Sequence, residues 1–228
     1  MLYNTLFMLK ENLKRVQARI ASAAKGAGRD PAQVRLLCVT KGIPAERIQE
    51  AIACGVREIG ENRVQEAKEK QPAIGREVRW HLIGHLQRNK AKFAAELFDV
   101  IHSVDSPELI EALERAVVLR QAQDEWKLEV LIQVNVPGEP TKHGCKPDEA
   151  RRLVEEIMKS KHLKLTGLMT MAPFSENSES ARPVFRQLRQ LRDAMDPSLD
   201  LSMGMSQDFE VAVEEGATLV RIGTAIFQ

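Results

Sequence analysis

Two hydrophobic rhythms organise the chain. Near the start, Leu6, Leu9, Leu13, Val16 and Ile20 recur three or four residues apart among charged neighbours, which predicts a helix over 5–25. Gly26 and Gly28 end it, and Asp30-Pro31 opens the next segment. Beyond that point, short β-rich runs stand at 34–40, 56–59, 79–84, 98–103, 127–135, 163–171, 199–203 and 217–222. Amphipathic helical stretches lie between them at 44–54, 62–70, 87–97, 107–121, 147–160, 178–195 and 206–215. Ser106-Pro107-Glu108 reads as an N-cap, a first-turn proline and an acidic first turn, and Ser206-Gln207-Asp208 reads the same way without the proline.

Strands that alternate with helices pair in parallel through right-handed crossovers. Eight of them predict an α/β fold, a single (β/α)8 TIM-type barrel with an extra N-terminal helix. An open doubly wound sheet is the alternative. The strand count favours the barrel, and no GxGxxG follows the first strand to mark a dinucleotide site. The eight units use up the 228 residues, with no linker, low-complexity tract or repeat, so one domain is expected over 1–228.

Composition narrows the partners. Hydrophobic residues make up 43% and charged residues 29%, as in soluble globular proteins. A net charge of +1 removes the electrostatic case for nucleic acid or a membrane surface. The apolar start, Met1 to Leu9, is far shorter than a span and runs at once into Lys10, Glu11, Lys14 and Arg15. It reads as the start of a helix rather than a signal, and a cytoplasmic location is expected. Cys38, Cys54 and Cys145 form an odd set without CxxC spacing, which argues against disulfides and zinc; Cys38 and Cys54 are expected as small core residues.

In such a barrel the chemistry gathers at the C-terminal ends of the strands. Gly204-Met205-Ser206 and Gly223-Thr224 follow the seventh and eighth strands, where phosphate sites recur. Ser206 is expected at a helix N-terminus, with Gly204 and Gly223 allowing close backbone approach, Thr224 adding a hydroxyl and Arg221 a fixed charge. Taken alone, Ser206 reads more readily as an ordinary N-cap and Gly223 as a turn glycine; the pairing of two such loops brings the two readings level. Lys41 ends the first strand. Its side chain points either out to solvent, as in most strand-end lysines, or into the barrel mouth. In the mouth, partial burial beside Arg221 would favour its neutral amine, which can attack an aldehyde. A lysine facing a phosphate site is what pyridoxal 5′-phosphate (PLP) requires. His81 and His85 are expected to be structural, since no complete ligand set accompanies them, and no metal is expected. Glu61 either pairs with a base or caps a helix. Arg88, Asn89, Lys90 and Lys92 read as a solvated helix face, and Met169, Met171, Met203 and Met205 as core filling.

The segments LLCVTKGIP (36–44), GENRVQEA (60–67), WHLIGHLQRNK (80–90), GLMTMAP (167–173) and LSMGMSQDFEVAVEEGATLVRIGTAIF (201–227) together resemble the pyridoxal phosphate homeostasis protein family, related to the N-terminal barrel of alanine racemase. The resemblance runs in order along nearly the whole chain. It implies a fold-type III PLP barrel, monomeric, that takes part in vitamin B6 balance without strong turnover, with enzymes lacking their PLP as candidate recipients. It implies that Lys41 carries PLP as a Schiff base, that Ser206, Gly223 and Thr224 hold its phosphate, and that Asn62 and Arg221 lie near the cofactor, Arg221 facing either the ring nitrogen or the phosphate. This chain departs from the family pattern at Ile43, where relatives carry a second lysine, at His143, where they carry serine, and at Gln228, beyond which they continue for several residues.

Two other readings stand beside this one. A racemase needs acid–base groups on both faces of the cofactor, and in alanine racemase the second base comes from a second domain of the partner subunit. This chain has no room for that domain, and its single tyrosine, Tyr3, is placed far from any strand end, so only weak racemase-like activity would be expected. A PLP-free barrel that binds a phosphate ester would leave Lys41 unmodified.

Overall fold

The computed structural model describes residues 2–119 and 127–228, without the side chains at 2–5 and 119. Eight parallel strands close on themselves in chain order: β1 Arg35–Val39, β2 Glu58–Glu61, β3 Arg79–Leu82, β4 Val100–Val104, β5 Leu128–Gln133, β6 Leu163–Met169, β7 Asp200–Ser202 and β8 Leu219–Ile222. β8 pairs with β1, Arg35 beside Leu219 and Cys38 beside Ile222, so the sheet is a barrel and not an open layer. Around it lie α1 Leu2–Gly26, α2 Ala45–Ala53, α3 Val64–Ile74, α4 Ala91–Leu97, α5 Pro107–Leu119, α6 Pro147–Lys159, α7 Arg182–Asp193, α8 Phe209–Glu214 and α9 Thr224–Phe227. The predicted helix end at 120–121 lies outside the described residues. Among the described residues no helix is long and apolar enough to cross a membrane.

Three predicted boundaries shift for identifiable reasons. β2 starts at Glu58 rather than 56 because residues 55–56 finish α2: Gly55 N–H donates to the Ile52 carbonyl and Val56 N–H to the Ala51 carbonyl. The helix expected from Ser206 starts only at Phe209, with Asp208 as its N-cap. The Asp208 carboxylate folds back to accept the Met205 N–H at 2.6 Å, and the turn so closed absorbs Ser206. The predicted 178–195 helix likewise opens as a 3₁₀ turn over Ser178–Ala181, capped by the Asn177 side chain, before α7 begins.

Side chains alternate across each strand. Outward residues such as Cys38, Ile59, Trp80, Ile101, Ile132, Leu168 and Ile222 are buried against the helices and form the main core. The end of the barrel near the strand starts is polar and is closed by ion pairs: Arg35 to Glu58 at 3.2 Å and to Asp200, and Arg79 to Glu129 at 2.6 Å. Buried or half-buried charge is tolerated there because it is paired.

α1 buries Leu9, Leu13, Val16 and Ile20, while Leu6 is 41% exposed. Its Asn12 amide donates to the carbonyls of Ile226 and Gln228, each at 3.1 Å. Arg19 binds Glu210 with two hydrogen bonds, 2.9 and 2.7 Å, and lies 4.6 Å from the centre of the Phe209 ring. The extra helix therefore braces α8 and α9, the two elements that follow β7 and β8.

Candidate cofactor site

One cleft of about 700 Å³ opens at the C-terminal ends of the strands. Lys41, Asn62, Ser206, Arg221, Gly223 and Thr224, drawn from four different strand ends, all line it. Ser206 reaches it from the turn before α8, not from a helix N-terminus as expected. Gly223 instead caps the short α9, which the sequence pattern did not predict, and Thr224 opens that turn, whose first N–H groups have no partner within it. The two glycines also answer to the chain itself. A Cβ on Gly204 would stand 2.5 Å from the Ala212 Cβ, and one on Gly223 would stand 2.9 Å from the Val39 carbonyl oxygen.

Lys41 is exposed, the solvated one of the two placements open to a strand-end lysine, and its amine makes no hydrogen bond or ion pair with the described residues. What is buried is the support under its turn. Thr40, on the outer side of the barrel, donates its hydroxyl to Glu61 at 2.6 Å. Lys70 of α3 reaches over from outside and donates to the Thr40 carbonyl at 2.7 Å, to Glu61 at 2.8 Å and to Glu66 at 2.6 Å. Glu66 in turn accepts the Gly42 N–H at 2.5 Å. Both neighbours of Lys41 are thus tied to α3 through one ammonium group. Burial raises the Glu61 carboxyl above its ordinary pKa, against the hydrogen bonds from Lys70 and Thr40. Of the two roles open to Glu61 from sequence, pairing with a base is the one it has.

The buried cation of the cleft is Arg221. It is 4% exposed, and it donates to the Ser202 hydroxyl at 2.7 Å and the Thr170 carbonyl at 2.9 Å. Among the described residues no carboxylate lies within ion-pair distance of it. Burial lowers its pKa to about 10, against the attraction of Asp208.

Below Arg221 a chain of buried polar groups crosses the barrel. The Ser202 Oγ lies 3.0 Å from His102 Nδ1, His102 Nε2 lies 2.9 Å from His81 Nδ1, and His81 Nε2 faces a Glu58 carboxylate oxygen at 3.5 Å. Proton counting gives this chain one consistent direction. Arg221 can only donate, so the Ser202 oxygen accepts from it and directs its own hydrogen to His102 Nδ1. His102 then carries its proton on Nε2 and donates to His81 Nδ1, and His81 carries its proton on Nε2, toward Glu58. Both imidazoles are neutral in this arrangement. Burial holds each well below its ordinary pKa, reinforced by Arg79 and Arg35 around His81 and by His81 and Arg221 around His102. The chain orients Arg221 from beneath.

The histidines give a pH prediction. Their folded pKa values are depressed, so above about pH 6.5 they are neutral in both states and cost nothing. Below that pH the unfolded chain takes up two protons that the folded chain refuses. Stability is therefore expected to fall as pH drops below about 6.5, by up to about 1.4 kcal/mol per pH unit for each histidine. Urea unfolding between pH 7.5 and 5 measures the slope, which His102→Gln should cut by about half. An unchanged slope in that variant would rule the assignment out.

Other expectations divide. Cys38 is buried, and burial pushes its thiol up to about 12, whereas Cys54 is only half-buried. Met169 and Met203 are core residues, but Met205 is 38% exposed and lines the cleft. Arg88, Lys90 and Lys92 are exposed as expected. His81 is structural, whereas His85 is exposed on the cleft wall beside His143. Sequence reasoning passed over His102, Ser202 and Lys70. For His102 a signal exists: it and Ser103 are polar residues inside a strand that is otherwise apolar.

A closed parallel barrel with an exposed amine after β1 and a buried guanidinium on β8 defines a ligand-binding α/β barrel with its site at the strand ends. Residues 9–228 match the model of the alanine racemase N-terminal domain, and the chain belongs to that family. It is 42% identical over 221 residues to the pyridoxal phosphate homeostasis protein of Pseudomonas aeruginosa, covering 96% of this chain and 94% of that one. It is 44% identical over 156 residues to the protein of the same name from Aquifex aeolicus, covering 66% and 67%. Among solved structures it is similar to PipY of Synechococcus elongatus with PLP bound, at TM-score 0.80 and 35% identity over 96% of this chain and 100% of that one. An alanine racemase of Clostridium difficile shares the fold, at TM-score 0.72 and 14% identity over 96% and 56%.

Proposed function

We propose that this protein binds PLP in the strand-end cleft and serves vitamin B6 homeostasis, holding and releasing the cofactor rather than turning over amino acids. The observation that carries the reading is Arg221, a buried cation facing the cleft with only neutral oxygens as partners, which suits a polar ligand that brings an acceptor. The residues fit the group. The Lys41 amine is free to condense with an aldehyde, releasing water. Ser206 and Thr224 offer hydroxyl donors beside the Gly223 turn for a phosphate, and Asn62 offers an amide on the Lys41 side. When bound, PLP supplies an aldehyde carbon conjugated to an electron-withdrawing ring. The names of the Pseudomonas and Aquifex relatives and the PLP-bound PipY structure support the reading. The exposed position of Lys41 suits a cofactor that must leave again for an enzyme lacking it, and we place this exchange in the cytoplasm, on a single-domain monomer.

The test is the near-visible absorption spectrum of the purified protein before and after borohydride. The wild type should be yellow and should keep the label on Lys41 after reduction. Lys41→Ala should lose its PLP on dialysis and retain no label. A colourless protein that stays colourless after incubation with PLP would overturn the cofactor assignment. Amino-acid racemisation at an enzymatic rate would overturn the holding role alone.

A further inference from the structure

His85 and His143, from the loops after β3 and β5, line the wall of the cleft, and Asp105 stands beside them after β4. The two imidazoles are stacked, ring centres 3.7 Å apart and planes within 7° of parallel. His85 Nδ1 lies 3.9 Å from an Asp105 carboxylate oxygen, and one donor atom from each of the three side chains falls within 4.8 Å of the others. Neither imidazole is held by a hydrogen bond among the described residues, so the rings are free to turn toward a common centre.

The backbone under them is not free. The loop that carries His143 is pinned to the end of β5: the Gln133 amide donates to the His143 carbonyl at 3.0 Å, and the Asn135 amide donates to the Glu139 and Lys142 carbonyls at 2.9 and 3.3 Å. Main-chain bonds join Cys145 N–H to the Gln133 carbonyl at 2.9 Å and Asn135 N–H to the Cys145 carbonyl at 2.8 Å. Asp105 follows β4 directly, and His85 follows β3 after two residues. Two strand ends and a loop pinned to a third thus bring two imidazoles and one carboxylate together on a fixed backbone, which is what a preformed site needs.

We propose that His85, Asp105 and His143 form a three-ligand site for a borderline divalent transition ion, zinc(II) above all, on the wall of the cleft opposite the β7 and β8 loops. Two nitrogens and one carboxylate oxygen suit zinc, nickel or copper and not calcium or magnesium, which take oxygen. Zinc bonds of about 2.0–2.2 Å put tetrahedral ligands roughly 3.4 Å apart. The donor atoms must therefore close by about 1 Å, and the two exposed rings must swing out of their parallel stack, because each nitrogen lone pair lies in its ring plane and two parallel planes share no ion. Three protein ligands leave a fourth position for water or an incoming group, the pattern of open zinc sites. Because His85 and His143 both line the cleft, that position borders it.

Isothermal titration of the untagged protein with zinc(II) alone tests this. One ion per chain should bind with a Kd on the order of micromolar or tighter. His143→Ser and Asp105→Asn should each weaken binding roughly tenfold or more, whereas His162→Ala, on the loop before β6, should leave it unchanged. Cobalt(II) should give visible ligand-field bands that both variants lose. The substituted positions are exposed or half-buried, and unchanged far-ultraviolet dichroism would show that the variants fold. A stoichiometry far below one, or variants that bind as tightly as wild type, would overturn the site. Neither outcome bears on PLP binding.

Discussion

Replacing Lys70 by methionine is expected to destabilise the protein by about 3–5 kcal/mol, whereas Glu61→Gln should change stability by less than about 1 kcal/mol. The two residues form one ion pair at 2.8 Å, yet they are not equivalent. Glu61 is fully buried and Lys70 is 11% exposed. Removing the ammonium leaves a carboxylate in the core whose remaining donor is the Thr40 hydroxyl, and methionine, which matches the lysine stem in volume, admits no water to replace it. Removing the carboxylate charge leaves Lys70 paired with Glu66 at 2.6 Å, and the glutamine can still accept from Thr40. Because burial raises the Glu61 carboxyl, its ionised form costs stability at neutral pH, and that cost is relieved as pH falls through the folded pKa. The Lys70→Met deficit should therefore shrink on mild acidification. Chemical denaturation of both variants at pH 7.5 and pH 5.5 checks this; equal losses in the two would show that Lys70 acts by packing alone. Since Lys70 also ties the Thr40 carbonyl and, through Glu66, the Gly42 N–H, the variant should loosen the Lys41 turn and speed PLP release.

The strands and helices were legible because their cause is local: a period of two or of three and a half is written in consecutive residues. The barrel followed from counting strands. The six residues predicted for the site reach one cleft because strand ends are the one place where barrel topology itself brings distant segments together. What escaped has a different origin. Ser206 was placed at a helix start because Ser-Gln-Asp carries the pattern, but the Asp208 carboxylate competes for the same backbone and closes a turn first. For Lys41 the sequence left the barrel mouth and solvent both open, and nothing in it marked Arg221 as fully buried; the strand period turns Arg221 inward and leaves Lys41 beyond the last buried layer. His85 looked like a lone structural histidine because Asp105 and His143 lie 20 and 58 residues further along, and only the closed sheet makes them adjacent.

Arg221→Met should raise the melting temperature of the cofactor-free protein while weakening its hold on PLP, a pair of effects with opposite sign. A lowering of the guanidinium from 12.5 to about 10 corresponds to a folding cost of about 3 kcal/mol. The group stays protonated at neutral pH, so this cost is present throughout the range below pH 10 and is relieved only as pH rises through that value. Two neutral hydrogen bonds, to Ser202 and Thr170, do not offset it fully. Methionine fills much of the same volume without the charge. It leaves Ser202 its bond to His102 and strips Thr170 of one acceptor contact, at roughly 1–2 kcal/mol in all. The net gain is about 1 kcal/mol, or about 2–4 °C for a chain of this size. The same substitution removes a charged donor from the cleft, and a charge-assisted hydrogen bond to a ligand contributes about 1.5–3 kcal/mol, so PLP affinity should drop roughly 10- to 100-fold. Melting curves with and without saturating PLP decide the matter. In the wild type PLP should stabilise strongly; in the variant the starting point should be higher and the gain small. A variant less stable than wild type in both conditions would mean that Arg221 is a structural strut, with its charge already compensated inside the barrel. The expected crossing instead identifies Arg221 as a group whose burial costs folding free energy and whose return comes only with the bound cofactor, a cost kept because the site needs it.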